Sequence, residues 1–343
     1  MPVTLKDIAR KVGFSVTTVS RALAGYDDVA AKTRRLIVQT AEEMGYHPNI
    51  LARRLQKQRT DTLGFVIPTF GPRFSDPFFG ELLAGVGNEA AEHDLDLLVS
   101  TRPPDTPKEA QAYERLVRDR RVDGVVLTRT RINDARIAYL LEHDFPFAAF
   151  GRTQVEEAFA CVDVDGELGV FNATQHLIEL GHRDIAIILP PLDLMFTVHR
   201  RAGFYRVMEA HGLAVRPEWE TNGDLTEHGG YAVACRLLAG ARRPTAIVAG
   251  NDLMAIGAMR AAREHGLSVG RELSVVGFDD NTLAEHAHPA LTTLRQPIYE
   301  IGRQVCRMLV QILNDEVLPE REVLFEPELM VRQSSGPLVR VGS

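Results

Sequence analysis

Thr4-Leu5-Lys6-Asp7-Ile8-Ala9-Arg10-Lys11-Val12-Gly13-Phe14-Ser15-Val16-Thr17-Thr18-Val19-Ser20-Arg21-Ala22-Leu23 is the stretch from which the rest of the chain is read. Leu5, Ile8, Ala9 and Val12 lie on one helix face. Gly13-Phe14-Ser15 breaks that period, and Val16, Val19 and Leu23 begin a second face at helical spacing. Thr4 with Asp7 three residues later has the spacing of a capping box, with Asp in the usual Glu or Gln place. Ser15 stands where it can cap the second helix. Two short helices joined by a Gly-containing turn form a helix-turn-helix. The outward face of the second helix carries Thr17, Thr18, Ser20 and Arg21, whose hydroxyls and guanidinium suit phosphates and base edges. The plain alternative is an ordinary amphipathic helix pair, and the rest of the chain decides against it.

The 343 residues exceed one ordinary domain. Hydrophobic content of 45% with 25% charged residues is the balance of a soluble globular protein. No basic start followed by an apolar run marks a signal peptide, and no stretch of about 18 apolar residues could span a membrane. A cytoplasmic protein is expected. Cys161, Cys235 and Cys306 are widely spaced and odd in number, so they fit neither a metal site nor a disulfide framework and read as buried reduced thiols. The net charge of −7 conceals an asymmetry. Residues 1–60 contain 11 Lys/Arg against 5 Asp/Glu, a charge of +6. The remainder contains 28 against 41, a charge of −13. A basic head on an acidic body is expected when only the head meets nucleic acid.

A third helix is expected from Ala31 to Met44, with Leu36, Ile37, Ala41 and Met44 closing a three-helix core and Gly45 ending it. Asn49 can cap a short segment, Ile50 to Leu55. A helix this short is unstable alone in water and needs a partner, either DNA or its twin. Lys57 to Thr62 reads as a polar linker. From Leu63 onward strands alternate with helices. Strands are expected at Leu63–Ile67, Leu95–Val99, Val122–Leu127 and Phe147–Phe150, and a second series starts near Cys161 with strands at Ile185–Leu189, Ala246–Ala249 and Leu273–Phe278. Such alternation implies parallel sheets covered on both faces, each a doubly wound lobe. After Thr292 come one more strand, a helix over Ile298–Leu313 and a last strand near Val323–Phe325, a tail that crosses back between lobes. The expected class is therefore α/β: a three-helix helix-turn-helix head with a short hinge helix, then two doubly wound parallel-sheet lobes.

With these parts laid out, the chain resembles the LacI/GalR family of bacterial transcription regulators from about Val3 to Ser334. Four motifs carry the likeness: Thr4 to Ala9 with Thr18 to Leu23; Tyr46-His47-Pro48-Asn49 with Ala52-Arg53-Arg54-Leu55; His176-Leu177 with Gly181-His182-Arg183; and Asn251-Asp252, Ala255 to Ala258, then Ser274 to Asp280. Together, in this order and spacing, they are highly specific. The resemblance implies a DNA-binding domain over 1–47, a hinge helix and linker over 48–61, and an effector-binding and dimerisation domain over 62–335. Its first lobe would take about 62–160 plus 294–328, its second about 161–292. The resemblance also implies a homodimer on a pseudopalindromic operator, one recognition helix per half-site. Val16 and Thr17 hold the family's base-reading positions. An apolar Val16 favours a thymine methyl or a shape contact. Thr4, Thr18, Ser20, Arg21, Thr33 and Tyr46 match positions that hold the backbone or neighbouring bases. Two positions depart from the pattern, Ala24 where a polar residue is common and Ala30 where Ser often caps the third helix. In the hinge, Asn49, Ala52, Arg53 and Leu55 match residues at the minor groove, with Leu55 as a wedge between base steps.

Ligands of two-lobed folds bind between lobes at the carboxyl ends of parallel strands. Thr128, Arg152, Asn251, Asp252 and Asp279 fall at or just beyond such ends, and Arg200 precedes a helix. The family's effector positions match these and add Asp76, Phe78, Leu225 and Gln296. Carboxylates, amides and guanidiniums suit neutral hydroxyls, and Phe78 or Leu225 can cover a ring face. The expected effector is a mono- or oligosaccharide, with a sugar phosphate or another small metabolite as the alternative. A transport-type sugar-binding protein or a sugar-modifying enzyme is the rival from another class. No GxGxxG after the first strand, no GxxxxGK[ST], no GxSxG and no HExxH is present, so no catalytic residue, cofactor or metal is assigned. His182 reads as structural. The tail beyond Ser334 is too short, and too rich in Pro and Gly, for the heptad coil that makes tetramers. Dimerisation is therefore assigned to the lobes, with helices at Gly80–Glu92 and Leu253–His265 as candidates.

Overall fold

Helices α1 (Leu5–Val12), α2 (Val16–Leu23) and α3 (Ala31–Glu43) form the head. The structure, a computed structural model, describes residues 3–23, 25–46, 59–69 and 76–338. Ala24 and the hinge positions Asn49, Ala52, Arg53 and Leu55 lie outside them. The Asp7 carboxylate accepts hydrogen bonds from the Thr4 amide (3.0 Å) and hydroxyl (2.6 Å), which ties the start of α1. These bonds hold Asp7 below the ordinary carboxylate range. Ser15 Oγ accepts from the Thr18 amide at 3.0 Å and starts α2. Gly45 takes φ 65°, and the Tyr46 amide donates back to the Ala41 carbonyl at 2.9 Å, which closes α3. Ala30 supplies no side-chain cap, as its apolar identity implies. Ile8, Ala9, Val19, Ala22, Val29, Ile37 and Ala41 are the buried core. Leu36, expected in that core, is 48% exposed. Neighbours on a helix point about 100° apart, and Ile37 faces inward instead.

The chain divides into two compact units at Arg59 and Thr60. The second unit begins where the Asp123 carboxylate accepts from the Thr60 amide (2.6 Å) and hydroxyl (2.9 Å). Its first sheet is built from β1 (Thr62–Pro68), β2 (Asp96–Arg102), β3 (Gly124–Thr128), β4 (Phe147–Phe150), β5 (Ala160–Val164) and β11 (Glu322–Phe325). The second is built from β6 (Ile185–Leu189), β7 (Glu220–Asn222), β8 (Ala246–Ala249), β9 (Ser274–Asp279), β10 (Thr292–Arg295) and β12 (Glu328–Met330). The strand orders are β2-β1-β3-β4-β5-β11 and β7-β6-β8-β9-β10-β12, the same order twice. All pairings are parallel except β10 with β12. The intervening helices are α4 (Pro77–Glu92), α5 (Pro107–Arg118), α6 (Ala135–Glu142), α7 (Gly166–Glu179), α8 (Met195–Ala210), α9 (Glu227–Ala239), α10 (Asp252–Glu264), α11 (Thr282–His286) and α12 (Ile298–Leu313).

Two corrections follow from the sheets. The strand at Cys161, expected to open the second series, is β5 of the first sheet, and the chain crosses over only after Val164. Burial explains the ambiguity: β5 is buried along its whole length, and a strand buried on both faces fits either sheet equally well. The strands β7 and β12 and the helix α11 were not expected at all. β7 reads Glu-Thr-Asn, and each of these elements is too short to show a period.

Helix pairs in both lobes pack through glycine. A methyl at Gly85 of α4 would overlap the Tyr299 carbonyl of α12, and one at Gly302 would overlap Leu82. Gly230 of α9 and Gly257 of α10 meet in the same way, against Met254 and Glu227. Within the chain, α4 packs against α12 and α10 against α9. No described helix is long and apolar enough to cross a membrane. Cys161, Cys235 and Cys306 are free, and burial pushes the Cys161 and Cys306 thiols up to about 12. His182 is buried, with Nδ1 3.0 Å from Thr245 Oγ1 and Nε2 3.1 Å from the Gly336 carbonyl, a structural placement.

Candidate functional site

The second helix of the head presents its polar face to solvent. Val16 is 40% exposed, Thr17 and Arg21 are exposed, and Thr18 and Ser20 are half-buried. Val19 and Ala22, on the opposite face, hold the helix to the core and thereby aim this one outward. The Thr18 hydroxyl lies 2.8 Å from Ser15 Oγ. Arg21 is not loose: it pairs with Asp28 at 2.6 Å and stacks over Tyr26 at 4.9 Å. Thr4 is exposed, Thr33 is half-buried, and Tyr46 is half-buried against the edge of the core.

The larger site is a cleft with about 580 Å³ of empty space, its open mouth included, where the carboxyl ends of both sheets meet. Of the ten expected effector residues, Asp76, Phe78, Arg200, Leu225, Asn251, Asp279 and Gln296 line it. Thr128, Arg152 and Asp252 do not. Thr128 is buried and its neighbour Arg129 reaches the cleft instead, because the strand ends there and Arg129 turns at φ 49°. Arg152 Nε is bound to Asp163 Oδ2 at 2.8 Å, its head lies 3.9 Å from Glu322, and Asp163 takes the cleft position. Asp252 is fully buried behind the wall. It accepts from the Thr293 hydroxyl and, at 2.9 Å, from the Asn281 amide. Phe150 and Phe196 also line the cleft and were not expected. A strand-end rule could have found Phe150, the last residue of its strand; Phe196, one residue into α8, left no such signal.

The first lobe contributes an aromatic wall. Phe78 and Phe150 stack with centroids 5.8 Å apart and planes at 22°. Asp76 caps α4 by accepting from the Phe78 amide at 3.1 Å, and its other oxygen takes Arg129 at 2.6 Å. Burial lowers the Arg129 pKa, and the Asp76 charge opposes that. Gly151, at φ 120°, lets the Thr130 hydroxyl pass close by, where any side chain would collide.

The second lobe contributes the charged floor. The Arg200 guanidinium lies against two rings, 3.7 Å from the Phe278 centroid and 4.5 Å from that of Phe196, and donates to the Gly250 carbonyl. Its Nε has no partner among the described residues. Burial pulls its pKa down to about 10, against the charges of Asp279, Asp163 and Asp252. Asp279 accepts from Gln296 Nε2 at 2.5 Å. Burial first, and then the charge of Asp252, push its pKa well above the usual range; burial raises Asp252 to about 7. Asn251 caps α10 and also donates to the Leu225 carbonyl at 3.1 Å, which holds Leu225 at φ 66° against the cleft. The arrangement sets apolar faces beside oriented polar groups, which orients a small molecule with several hydroxyls. Among the described residues no group of three or more His, Cys, Asp or Glu could hold a metal.

Comparison with known proteins agrees along the whole chain. The signature of bacterial regulatory proteins of the lacI family matches residues 4–49, and that of the periplasmic binding protein-like domain matches residues 174–335. The HTH-type transcriptional regulator AglR of Rhizobium meliloti (strain 1021) is 36% identical, covering 98% of this chain and 95% of its own. A transcriptional regulator CelR–cellobiose complex superposes with a TM-score of 0.76 at 33% identity, covering 97% of this chain and 99% of the other. The lac repressor dimer bound to operator and the anti-inducer ONPF superposes with a TM-score of 0.85 at 26% identity, covering 98% and 100%.

Proposed function

The chain belongs to the lacI family of bacterial regulatory proteins, DNA-binding transcriptional regulators, and from that premise we propose that it is a homodimeric repressor of carbohydrate-utilisation genes, working in the cytoplasm as a sensor without catalytic turnover. Residues 1–47 would bind a pseudopalindromic operator, residues 48–61 would form the hinge, and residues 62–335 would dimerise and hold a small sugar. Val16 and Thr17 would meet bases, and Thr4, Thr18, Ser20, Arg21, Thr33 and Tyr46 the backbone and its neighbours. Asn49, Ala52, Arg53 and Leu55 would meet the minor groove.

One observation carries the ligand reading: the stacked Phe78–Phe150 wall faces a floor of Arg200, Asp279 and Gln296 in one cleft. A pyranose has the matching anatomy, an apolar ring face with hydroxyls around its rim. Arg129 already pairs with Asp76 at 2.6 Å, so its charge is balanced and a neutral sugar is favoured over a sugar phosphate. A ligand that prefers one lobe geometry shifts operator affinity by its differential binding alone. The test is a thermal-shift screen of mono- and disaccharides with the full chain, followed by calorimetry on the hit. Arg200→Ala and Asp279→Ala should each weaken binding by roughly 1.5–3 kcal/mol, the worth of a charge-assisted hydrogen bond. Unchanged affinity in both variants, or no sugar that raises the melting temperature, would refute the reading.

A further inference from the structure

The lobes are joined by the three chain crossings and by something the sequence does not announce. The loop after β3 and the loop after β6 meet as a short antiparallel bridge, Arg131 opposite Leu194. The Ile132 amide donates to the Asp193 carbonyl at 2.9 Å, and the Met195 amide donates to the Thr130 carbonyl at 2.9 Å. One loop belongs to each lobe, so these two bonds run across the cleft.

Both halves are stiff. On the first lobe, the Thr153 hydroxyl lies within donating distance of the Arg131 (2.8 Å) and Ile132 (2.9 Å) carbonyls, and the Gln154 amide donates to Ile132 at 2.9 Å. The Arg131 guanidinium is held by Asp105 at 2.9 Å and Glu109 at 2.8 Å, and its amide by Asp134 at 3.0 Å. Glu109 and Asp134 are themselves buried, with Arg136 between them. On the second lobe, Pro190 and Pro191 restrict the loop, and the Thr197 hydroxyl donates to the Pro191 carbonyl at 2.9 Å. The cleft residues sit next to the bridge on both sides: Arg129 precedes Thr130, and Phe196 follows Met195.

We propose that the Thr130–Ile132 and Asp193–Met195 segments form a backbone clasp that holds the two lobes closed over the cleft. Rigid loops make it an all-or-none contact, since neither half can follow the other when the lobes part. A molecule in the cleft touches residues directly adjoining each half, so filling the cleft and making or breaking the clasp are coupled. The clasp does not depend on which ligand the cleft accepts.

A single substitution removes one of its donors without disturbing the helix behind it. Met195 is the first residue of α8, a position where proline is tolerated because the amide has no partner within the helix. Leu194, at φ −81° and ψ 132°, already has the conformation required before proline. Met195→Ala is the control, since it loses the same side chain and keeps the amide. Amide hydrogen exchange is followed in the ligand-free full chain. In Met195→Pro the Ile132 amide, on the opposite lobe, should exchange about fivefold faster or more, and in Met195→Ala it should match the parent. If Met195→Pro loosens α8 itself, Thr153→Val tests the clasp from the other lobe, and the Met195 amide should then exchange faster. Ile132 exchange that stays at the parent rate in a folded Met195→Pro, or Met195 exchange that is unmoved in Thr153→Val, would overturn the clasp.

Discussion

Asp279 ends β9 at φ 130°, and Asp280 follows at φ 56°, so two consecutive carboxylates turn where few residues can. Asp280 is fixed by Arg332 at 2.6 Å and Arg295 at 2.8 Å. Asp279 is left to face the cleft with Asp252 behind it, and the two buried carboxyls titrate as a pair. Their raised pKa values make stability depend on pH. A carboxyl that is harder to ionise in the folded state than in the unfolded chain binds its proton more tightly when folded. Stability is therefore lost as pH rises through the folded pKa, about 7 for Asp252. The buried His182 and the half-buried His176 and His199 act oppositely, with folded values lowered by desolvation, but their effect fades above the ordinary histidine value of 6.5. Between pH of about 6.5 and 8 the carboxyl pair governs, and the ligand-free melting temperature should fall. In Asp252→Asn that fall should shrink; an equal slope in parent and variant would remove this pair as its cause. Of the seven expected residues that line the cleft, Asn251 and Asp279 were legible as strand ends and Arg200 by its place before a helix, whereas Asp76, Phe78, Leu225 and Gln296 came only from the family resemblance. Arg129 was not legible, because its neighbour Thr128 satisfies the same rule, and Asp163 was not, because it lies inside its strand and not beyond its end.

At the scale of elements, α4 contains two glycines with opposite roles. A Cβ at Gly85 would run into the Tyr299 carbonyl, whereas nothing lies within 4 Å of one at Gly87. Gly85→Ala must push α4 off α12 and should destabilise the protein by about 1–3 kcal/mol. Gly87→Ala only lowers the entropy of the unfolded chain and raises helix propensity, so it should stabilise by roughly 0.5–1 kcal/mol. Urea unfolding of the two variants reads both signs, and the same sign for both would show that close packing is not what selects glycine at Gly85. In the head, Ser15→Ala deletes the acceptor for the Thr18 amide and should cost about 1 kcal/mol of head stability. Head-specific amide exchange would show it, with the lobes unaffected. That capping was readable from residue spacing alone, since caps are local.

On the scale of the molecule, charge and contacts divide the chain at the same place. Residues 1–60 carry +6 and the rest −13, and the compact units meet at Arg59 and Thr60. A fragment starting at Thr60 keeps the bonds to Asp123 that anchor the first strand. It should melt cooperatively and keep its ligand response while losing operator binding altogether, as a gel-shift assay would report. Operator retained by that fragment would place DNA binding on the acidic body. For the full chain, six to ten phosphate contacts would cost about 10³–10⁵ in affinity between roughly 50 and 200 mM salt. An affinity that barely changes over that range would contradict a basic head as the binding surface.

The sequence by itself determined what is periodic or local: the capped helix pair, the glycine that ends α3, the alternation of strands and helices, and the charge of the head. These follow from interactions between residues a few positions apart, and their spacing is written in the chain. Only the tertiary structure decided which sheet takes β5, since burial on both faces leaves a strand no mark of its partner. Only it decided that Arg129, Asp163 and Phe196 meet the cleft while Thr128, Arg152 and Asp252 stand behind or beside it. Side-chain direction at a strand end depends on the exact backbone turn and on partners more than ten residues away. The bridge between Arg131 and Leu194 joins residues 63 positions apart through main-chain amides and carbonyls that every residue but proline possesses, and no side-chain pattern could announce it.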